Sequence, residues 1–389
     1  MNTRVSILSY TEADPKNREE TSSSAHLTHG EEHGDDEDSN DWLFRSFVLD
    51  LSATLSEERA DFLDGMISGE VDPMYFYMGR EATEKYLAKM LSANDYTIYK
   101  DSLDLLKSSR EKVAEKILAA STACNKQLRI VSLGVGNGQK EICLLDVLLD
   151  RIPYLEHIAI DISADMLKEG LRNIRNVFAD AFRDRKIKTF ATVGNFSKID
   201  KYFSERYFSE KSDKINVFLL LGNTIGNFDE IELLYKIKDA MNSGDFILID
   251  NQLKDEGPPT PEQIKILEKA YGSRQEKENV YAVVKRANIL PEYGEVKTFV
   301  QNFVNGMHLV NDDCIVVKLC FIFKNDRDRR VTVQNKPHRY RRGHEIQVYA
   351  SKRYTKKALV RIIKDVVGLE IVDDYSNDYY GMLLCRKRI

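Results

Sequence analysis

The chain has 389 residues, of which 42% are hydrophobic and 31% charged, with a net charge of -5. Single hydrophobic cores stop growing near roughly 250 to 300 residues, so two packed units are expected. The mildly acidic balance excludes the strong basic bias of a dedicated nucleic-acid binder. Two of the three short basic runs, Arg183-Asp184-Arg185-Lys186 and Arg327-Asp328-Arg329-Arg330, even carry an acid, and the third is Arg339-Tyr340-Arg341-Arg342.

Cys124, Cys143, Cys314, Cys320 and Cys385 have neither metal-ligand nor disulfide-framework spacing, which reads as reduced thiols in a cytoplasmic protein. No apolar run approaches the roughly 18 residues of a membrane span, and the N-terminus lacks an apolar signal core. The expectation is a soluble chain that engages neither membrane nor nucleic acid.

Residues 1–40 are rich in Ser, Thr, Glu and Asp and end in Glu31-Glu32-His33-Gly34-Asp35-Asp36-Glu37-Asp38. Such a segment cannot bury enough apolar surface to repay ordering and reads as a disordered tail. His26, His29 and His33 lack a second ligand cluster, so no metal site is expected. From Trp42 a helical periodicity runs through Phe44, Phe47, Leu51, Leu55 and Phe62, followed by Met74-Tyr75-Phe76-Tyr77. A helix is predicted over about residues 102–120. Strands are predicted at 128–133, 158–162, 189–193, 217–221 and 246–249, each short, apolar and followed by a turn or helix signal. Strands alternating with helices imply a parallel sheet covered on both faces. About 95 residues then intervene, far beyond an ordinary loop, before a helix over 355–368 and strand-like runs at 370–373 and 380–385.

Gly134-Val135-Gly136-Asn137-Gly138 follows the first strand and opens a helix. There Gly134, Gly136 and Gly138 let the backbone approach a ligand closely. A dinucleotide fingerprint requires glycine where Gln139 stands, and no phosphate-binding lysine-serine pair follows. S-adenosylmethionine, which has no phosphate to cradle, is the cofactor that fits. Asp161, ending the second strand, can accept hydrogen bonds from both ribose hydroxyls, since Ser163 is available to cap the next helix. Asn195 either bonds the adenine edge or forms a turn. The expected fold is α/β, a class I Rossmann-like methyltransferase sheet with an inserted, discontinuous α+β lobe. Residues 101–255 plus 351–389 form the sheet domain. Residues 41–100 plus 256–350 form a substrate-binding lobe over its carboxyl edge.

The fourth strand closes on Leu221-Gly222-Asn223-Thr224-Ile225-Gly226-Asn227-Phe228. Here the sequence resembles the histidine-specific methyltransferase family, which methylates the α-amine of histidine towards ergothioneine and carries a GSTIGN-type loop; Asn223 replaces its Ser. The resemblance runs from about Tyr75 onward. It implies cofactor contacts at Gly134, Lys140 and Asp161, with Lys140 on the methionine carboxylate, and Gly222 joins them by position. It places Tyr77 at the cofactor and substrate entrance and Tyr96 along the acceptor pocket. Asn227 then holds the amino acid head group, with Tyr271 as its carboxylate partner.

Two departures bear on the acceptor. A Glu-x-Ser pair that grips imidazole in the family reads Tyr349-Ala350-Ser351 here, and Val317 stands where histidine enzymes hold a longer Met. Losing a carboxylate that accepts an imidazole N–H costs roughly 1.5 to 3 kcal/mol of recognition. The resemblance therefore implies an amino acid less polar than histidine, such as the indole acceptors of the fungal dimethylallyltryptophan N-methyltransferases. Transfer from a sulfonium needs alignment and exclusion of water but no metal. Without the resemblance, Tyr77, Tyr96, Tyr271 and Tyr349 read as interface residues among 19 tyrosines, Asn227 as a cap or turn, and Val317 as core. Histidine itself, a macromolecular acceptor and a non-catalytic cofactor-binding protein stay in competition. The oligomeric state is left open.

Overall fold

The computed structural model describes residues 48–50, 55–91, 97–204, 214–302, 313–324, 329–333 and 336–388. The acidic tail with His26, His29 and His33, and also Phe44, Phe47, Leu51 and Tyr96, lie outside them. The described chain opens with a short strand, Val48–Asp50 (β1), and the helices Leu55–Ser68 (α1), Met74–Tyr77 (α2), Arg80–Leu91 (α3) and Thr97–Cys124 (α4). α4 ends where Asn125 turns left-handed at φ 52 and the Lys126 amide donates back to the Ser121 carbonyl, a closure that Asn accepts more readily than most residues.

Strands and helices then alternate: Gln127–Leu133 (β2), Gln139–Leu149 (α5), Leu155–Asp161 (β3), Ala164–Val177 (α6), Ile187–Val193 (β4), Lys214–Leu220 (β5), Glu230–Ala240 (α7) and Phe246–Gln252 (β6). The long interval holds helices Pro261–Tyr271 (α8) and Arg274–Arg286 (α9), then strands Gly294–Asn302 (β7), Cys314–Phe323 (β8), Arg329–Val333 (β9), Lys336–Tyr340 (β10) and Glu345–Tyr354 (β11). Lys356–Arg361 (α10), Glu370–Asp374 (β12) and Tyr380–Arg386 (β13) close the chain. The predicted helix over 355–368 begins at its Thr355 cap, widens into a π-turn at Ile362–Val366 and stops at Gly368, φ 76.

The main sheet has the order β1-β4-β3-β2-β5-β6-β13-β12, parallel except for the antiparallel insertion of β13 between β6 and β12. Strand order reverses at β2, between β3 and β5, which opens a crevice at the carboxyl ends of the strands. Both faces are covered. Leu128 and Ile130 of β2 pack with Val113 and Ile117 of α4 and Leu144 and Leu148 of α5. Val131 and Leu133 pack with Leu234 and Ile237 of α7 and with Ile362. This two-sided burial is why the parallel strands are apolar throughout rather than alternating. The helical periodicity read through residues 44–62 is corrected at its start. Val48–Asp50 pairs in parallel with Ala191–Val193, and the helix begins only at Leu55. Three apolar-to-polar residues carry no period that separates a short edge strand from a helix.

A second sheet, β11-β8-β7, is antiparallel and packs against α1 and α9 through Phe62, Met66, Val280, Val284, Phe321 and Val348. β11 ties the two sheets together. Val348 lies in the smaller core, whereas Tyr354, at its far end, lies fully buried in the core of the main sheet and bridges to Leu253.

At the amino ends of the central strands Glu156 of β3 meets Arg129 of β2 at 2.8 Å and Lys214 of β5 at 3.1 Å, all three buried. Burial alone would raise the Glu156 carboxyl, but the two cations hold it below the ordinary carboxylate value. Its stabilising effect is thus complete above the ordinary pKa and is lost as pH falls through the lowered one. Glu156→Gln removes the carboxylate that two buried cations share. Denaturant unfolding near neutral pH should show a loss of about 3 to 5 kcal/mol; a loss below about 1 kcal/mol would mean that the triad is solvated.

Candidate active site

The crevice is shaped first by the glycine turn after β2. Gly134, Gly136 and Gly138 all have positive φ (83, 56 and 74), a region that L side chains enter only at a cost. The Gly136 amide donates to Oδ2 of Asp161 at 3.2 Å, and the Ser163 amide donates to Oδ1 at 2.9 Å. Asp161 thereby fixes the turn to the end of β3 while its carboxylate lines the cavity. Ser163 caps α6 by accepting from the Met166 amide and also meets Thr83 of α3 at 2.9 Å. Gly138 does not line the cavity. A Cβ there would sit 2.7 Å from the Gly170 carbonyl, and one on Gly170 would sit 2.6 Å from the Gly136 carbonyl. The third glycine is therefore required for α6 to press against the turn, which gives it a packing role in the site.

Lys140, in the first turn of α5, points into a recess beside Gly134, Gly136, Gly222 and Thr224. Its Nζ lies 3.7 Å from Asp250. Burial pulls the ammonium below its ordinary value, and Asp250 opposes that shift. Asp250 also accepts from the amides of Gly222 (2.5 Å) and Asn223 (3.0 Å) and from Ser102 Oγ (2.5 Å), so a single carboxylate holds both the cation and the loop after β5. Asn223 is left-handed at φ 63, a conformation that suits Asn better than Ser. Its Oδ1 accepts from Asn251 Nδ2 and the Gln252 amide, and its Nδ2 donates to Ser351 Oγ. Asn195 spends its Oδ1 on the Ser197 amide as a turn cap while still lining the cavity beside Phe196.

At the other end three side chains far apart in sequence close a ring. Asn227 Nδ2 donates to the Tyr77 hydroxyl (3.1 Å), Tyr77 donates to the Tyr349 hydroxyl (3.3 Å), and Tyr349 donates to Asn227 Oδ1 (3.1 Å). Both hydroxyl hydrogens are used within the ring, so its oxygens can offer lone pairs to an amine. Tyr271 lines the same cavity, its ring stacked on Tyr349 at 6.2 Å, and donates to Ser351 Oγ at 3.2 Å.

Two predicted pocket residues lie elsewhere. Ser351 is fully buried behind Tyr271, and Val317, its partner in the β8–β11 register, is fully buried on the same sheet face and packs in the smaller core with Tyr271 and Tyr349 without lining the cavity. Tyr96 lies outside the described residues. The wall that sequence reading missed is α3, which supplies Ala82, Thr83 and Tyr86; their helical spacing was the only available signal.

The donor set fits S-adenosylmethionine. Burial pushes the Asp161 carboxyl up to about 6, with only backbone amides to offset it, and the cavity has apolar walls at Ile162, Met166 and Phe196. Asp161 could accept from a ribose diol and Lys140 could meet a carboxylate. The cavity measures about 100 Å³ and the recess about 60 Å³.

A doubly wound sheet with an antiparallel seventh strand, a glycine turn and a strand-end acid at the switch point defines a Rossmann-like S-adenosylmethionine-dependent methyltransferase. Residues 53–387 match the model of the SAM-dependent histidine-specific methyltransferases, and the chain belongs to that family. It is 26% identical over 164 residues to ergothioneine biosynthesis protein 1 of Schizosaccharomyces pombe, covering 41% of this chain and 20% of that protein. It is 26% identical over 121 residues to the N-methyltransferase fsqC of Aspergillus fumigatus, covering 31% of each. The matches thus span about a fifth and about a third of those relatives. Among solved structures, the Burkholderia thailandensis 1,6-didemethyltoxoflavin-N1-methyltransferase covers 79% of this chain and 90% of its own, at 11% identity and a TM-score of 0.34. Among the described residues no helix is long and apolar enough to cross a membrane.

A carboxylate must be ionised to accept from two hydroxyls, so ligand affinity is complete above the Asp161 pKa of about 6 and lost below it. Calorimetry with S-adenosylhomocysteine should show affinity falling towards about tenfold per pH unit below 6. Asp161→Asn should bind weakly and without that slope. A flat wild-type profile from pH 6 to 5 would contradict the assignment.

Proposed function

We propose that this enzyme methylates the α-amine of a free amino acid or amino acid derivative with an aromatic, tryptophan-like side chain. The observation that carries the reading is the ring at Tyr349. Its hydroxyl stands where the family resemblance calls for an imidazole-binding carboxylate and is spent on Asn227 Oδ1. Asp161, at the cofactor end, is the one acid among the described residues lining the cavity. An imidazole N–H entering here meets no carboxylate, whereas an indole finds the rings of Tyr77, Tyr86, Tyr271 and Tyr349.

When bound, the cofactor supplies an electrophilic methyl group on a sulfonium. The chain's own residues align the amine and keep water out. Asn227 and Tyr77 orient the head group, with the Tyr77 oxygen accepting an amine N–H so that the nitrogen lone pair is directed at the cofactor. Tyr271 meets the carboxylate. Asp161 and Lys140 hold the adenosyl and methionine ends, with Gly134, Gly136 and Gly222 allowing close approach and Asn195 lining the adenine side. Family membership and the likeness to an ergothioneine biosynthesis protein favour histidine as the second reading.

Incubation with methyl-labelled cofactor and single amino acids separates the two. Tryptophan or its ring-substituted derivatives should be preferred over histidine by about 10- to 100-fold in kcat/KM, the equivalent of one charged hydrogen bond. Tyr349→Glu should move that ratio towards histidine, and Asn227→Ala should cut turnover at least tenfold. Wild-type preference for histidine would overturn the reading in favour of the second; no labelled small product from any amino acid would reject both.

A further inference from the structure

Behind Tyr271 lies a charge that the reaction as described leaves without a role. Arg353, near the end of β11, is buried at 4% exposure. Its Nε donates to Gln252 Oε1 at 2.6 Å, its Nη2 donates to the Tyr271 hydroxyl at 3.0 Å, and its guanidinium lies over the Tyr271 ring at 5.3 Å. Its Nη1 is buried without a hydrogen-bond partner, and no carboxylate among the described residues lies within ion-pair distance. The neighbouring Lys352, by contrast, is paired with Glu230 at 2.6 Å. A guanidinium stays protonated in any protein environment, and burying it without an anion is costly, so buried arginines are ordinarily paired. An anion is therefore owed to this position.

The hydrogen-bond inventory shows where that anion arrives. Arg353 can only donate, so it occupies one lone pair of the Tyr271 oxygen and compels the phenol to donate elsewhere. In the structure that donation goes to Ser351 Oγ, which also receives Asn223 Nδ2. Ser351 retains a hydrogen of its own. Rotating it towards Tyr271 turns the phenol hydrogen into the cavity with every oxygen still satisfied and no proton transferred between residues. The phenol then carries two donors behind it and a charge 3.0 Å away, and offers its hydrogen to the acceptor pocket.

We propose that Arg353 is a positioning residue that makes the pocket selective for a carboxylate, supplying the counter-charge for the acceptor's α-carboxylate through the Tyr271 hydroxyl. The inference rests on the amino acid reading above, and it explains how the pocket can recognise an anion although no cation among the described residues lines the cavity beside Tyr271. Since Arg353 does not touch the acceptor, removing its charge should weaken acids and spare neutral analogues.

The test uses the full chain, saturated with cofactor, and two matched pairs of acceptors: tryptophan with tryptophanamide, and histidine with histidinamide. Binding is followed by calorimetry in the presence of S-adenosylhomocysteine, and turnover by label transfer. Wild type should favour each acid over its amide. Arg353→Met should raise the KM or Kd of the acid about tenfold or more, leave the amide within about twofold, and leave cofactor affinity unchanged. Arg353→Lys, which keeps the charge, should restore most of the acid preference. Arg353→Gln, which keeps an N–H donor but not the charge, should show the same acid-specific loss and covers the case in which Arg353→Met does not fold. Equal weakening of acid and amide, or a lysine variant no better than methionine, would reduce Arg353 to a packing role and overturn the proposal while leaving the amino acid reading intact. Failure of wild type to bind any of the four compounds would remove both together.

Discussion

The arrangement of this site depends on one buried carboxylate that pairs with no cation among the described residues. Asp161 ends a parallel strand with its oxygens committed to the amides of Gly136 and Ser163, and these two bonds set the path of the chain on both sides of the crevice. Backbone donors keep the group in place but do not neutralise it, which is why burial holds its proton on to about pH 6. Such a group rewards a ligand that brings hydroxyl donors and repels one that brings phosphates. The same turn is backed by the contact of Gly136 and Gly138 with Gly170, so α6 acts as a rigid support and the glycines cannot relax outward.

A parallel logic governs the acceptor end. Asp250 gathers Lys140, Gly222, Asn223 and Ser102, fixing the loop after β5 from below. Asn223 and Asn251 then lock that loop to β11. With both flanks held, Asn227 can be placed within reach of Tyr77 and Tyr349 on separate elements of the smaller core. The ring they form is neutral, with both hydroxyl hydrogens used, and a neutral ring beside aromatic faces is a poor host for a charged or strongly polar side chain. The polarity of the pocket is thus set by how its hydrogen bonds are already spent as much as by which residues line it.

Much of the sheet was legible in the sequence because each central strand is buried on both faces, leaving apolar runs such as 128–133 and 246–249 that no surface segment imitates. The glycine turn was legible through its context between a strand and a helix. The reason for each glycine was not, since a positive φ needed for packing, as at Gly138, looks the same in sequence as one needed for a ligand. Val48–Asp50 escaped because a three-residue edge strand has no period. Val317 shares the sheet face of Tyr349 but lies in the core beneath the tyrosines that line the cavity, a depth that sequence spacing does not report. The ring of Tyr77, Asn227 and Tyr349 joins residues 150 and 122 positions apart, a proximity that only a family likeness could hint at. Arg353, one of 57 basic residues, shows its peculiarity only when the absence of a carboxylate around it can be seen.

The central claim, that one crevice holds the cofactor at Asp161 and Lys140 and the acceptor amine at Asn227, is tested most directly by a crystal structure of the chain with S-adenosylhomocysteine and tryptophan. The account predicts ribose hydroxyls on the Asp161 carboxylate, the homocysteine carboxylate at Lys140, and the tryptophan amine between Tyr77 and Asn227, facing the sulfur. A nucleoside bound away from Asp161, or an amino acid whose amine faces away from the sulfur, would contradict it.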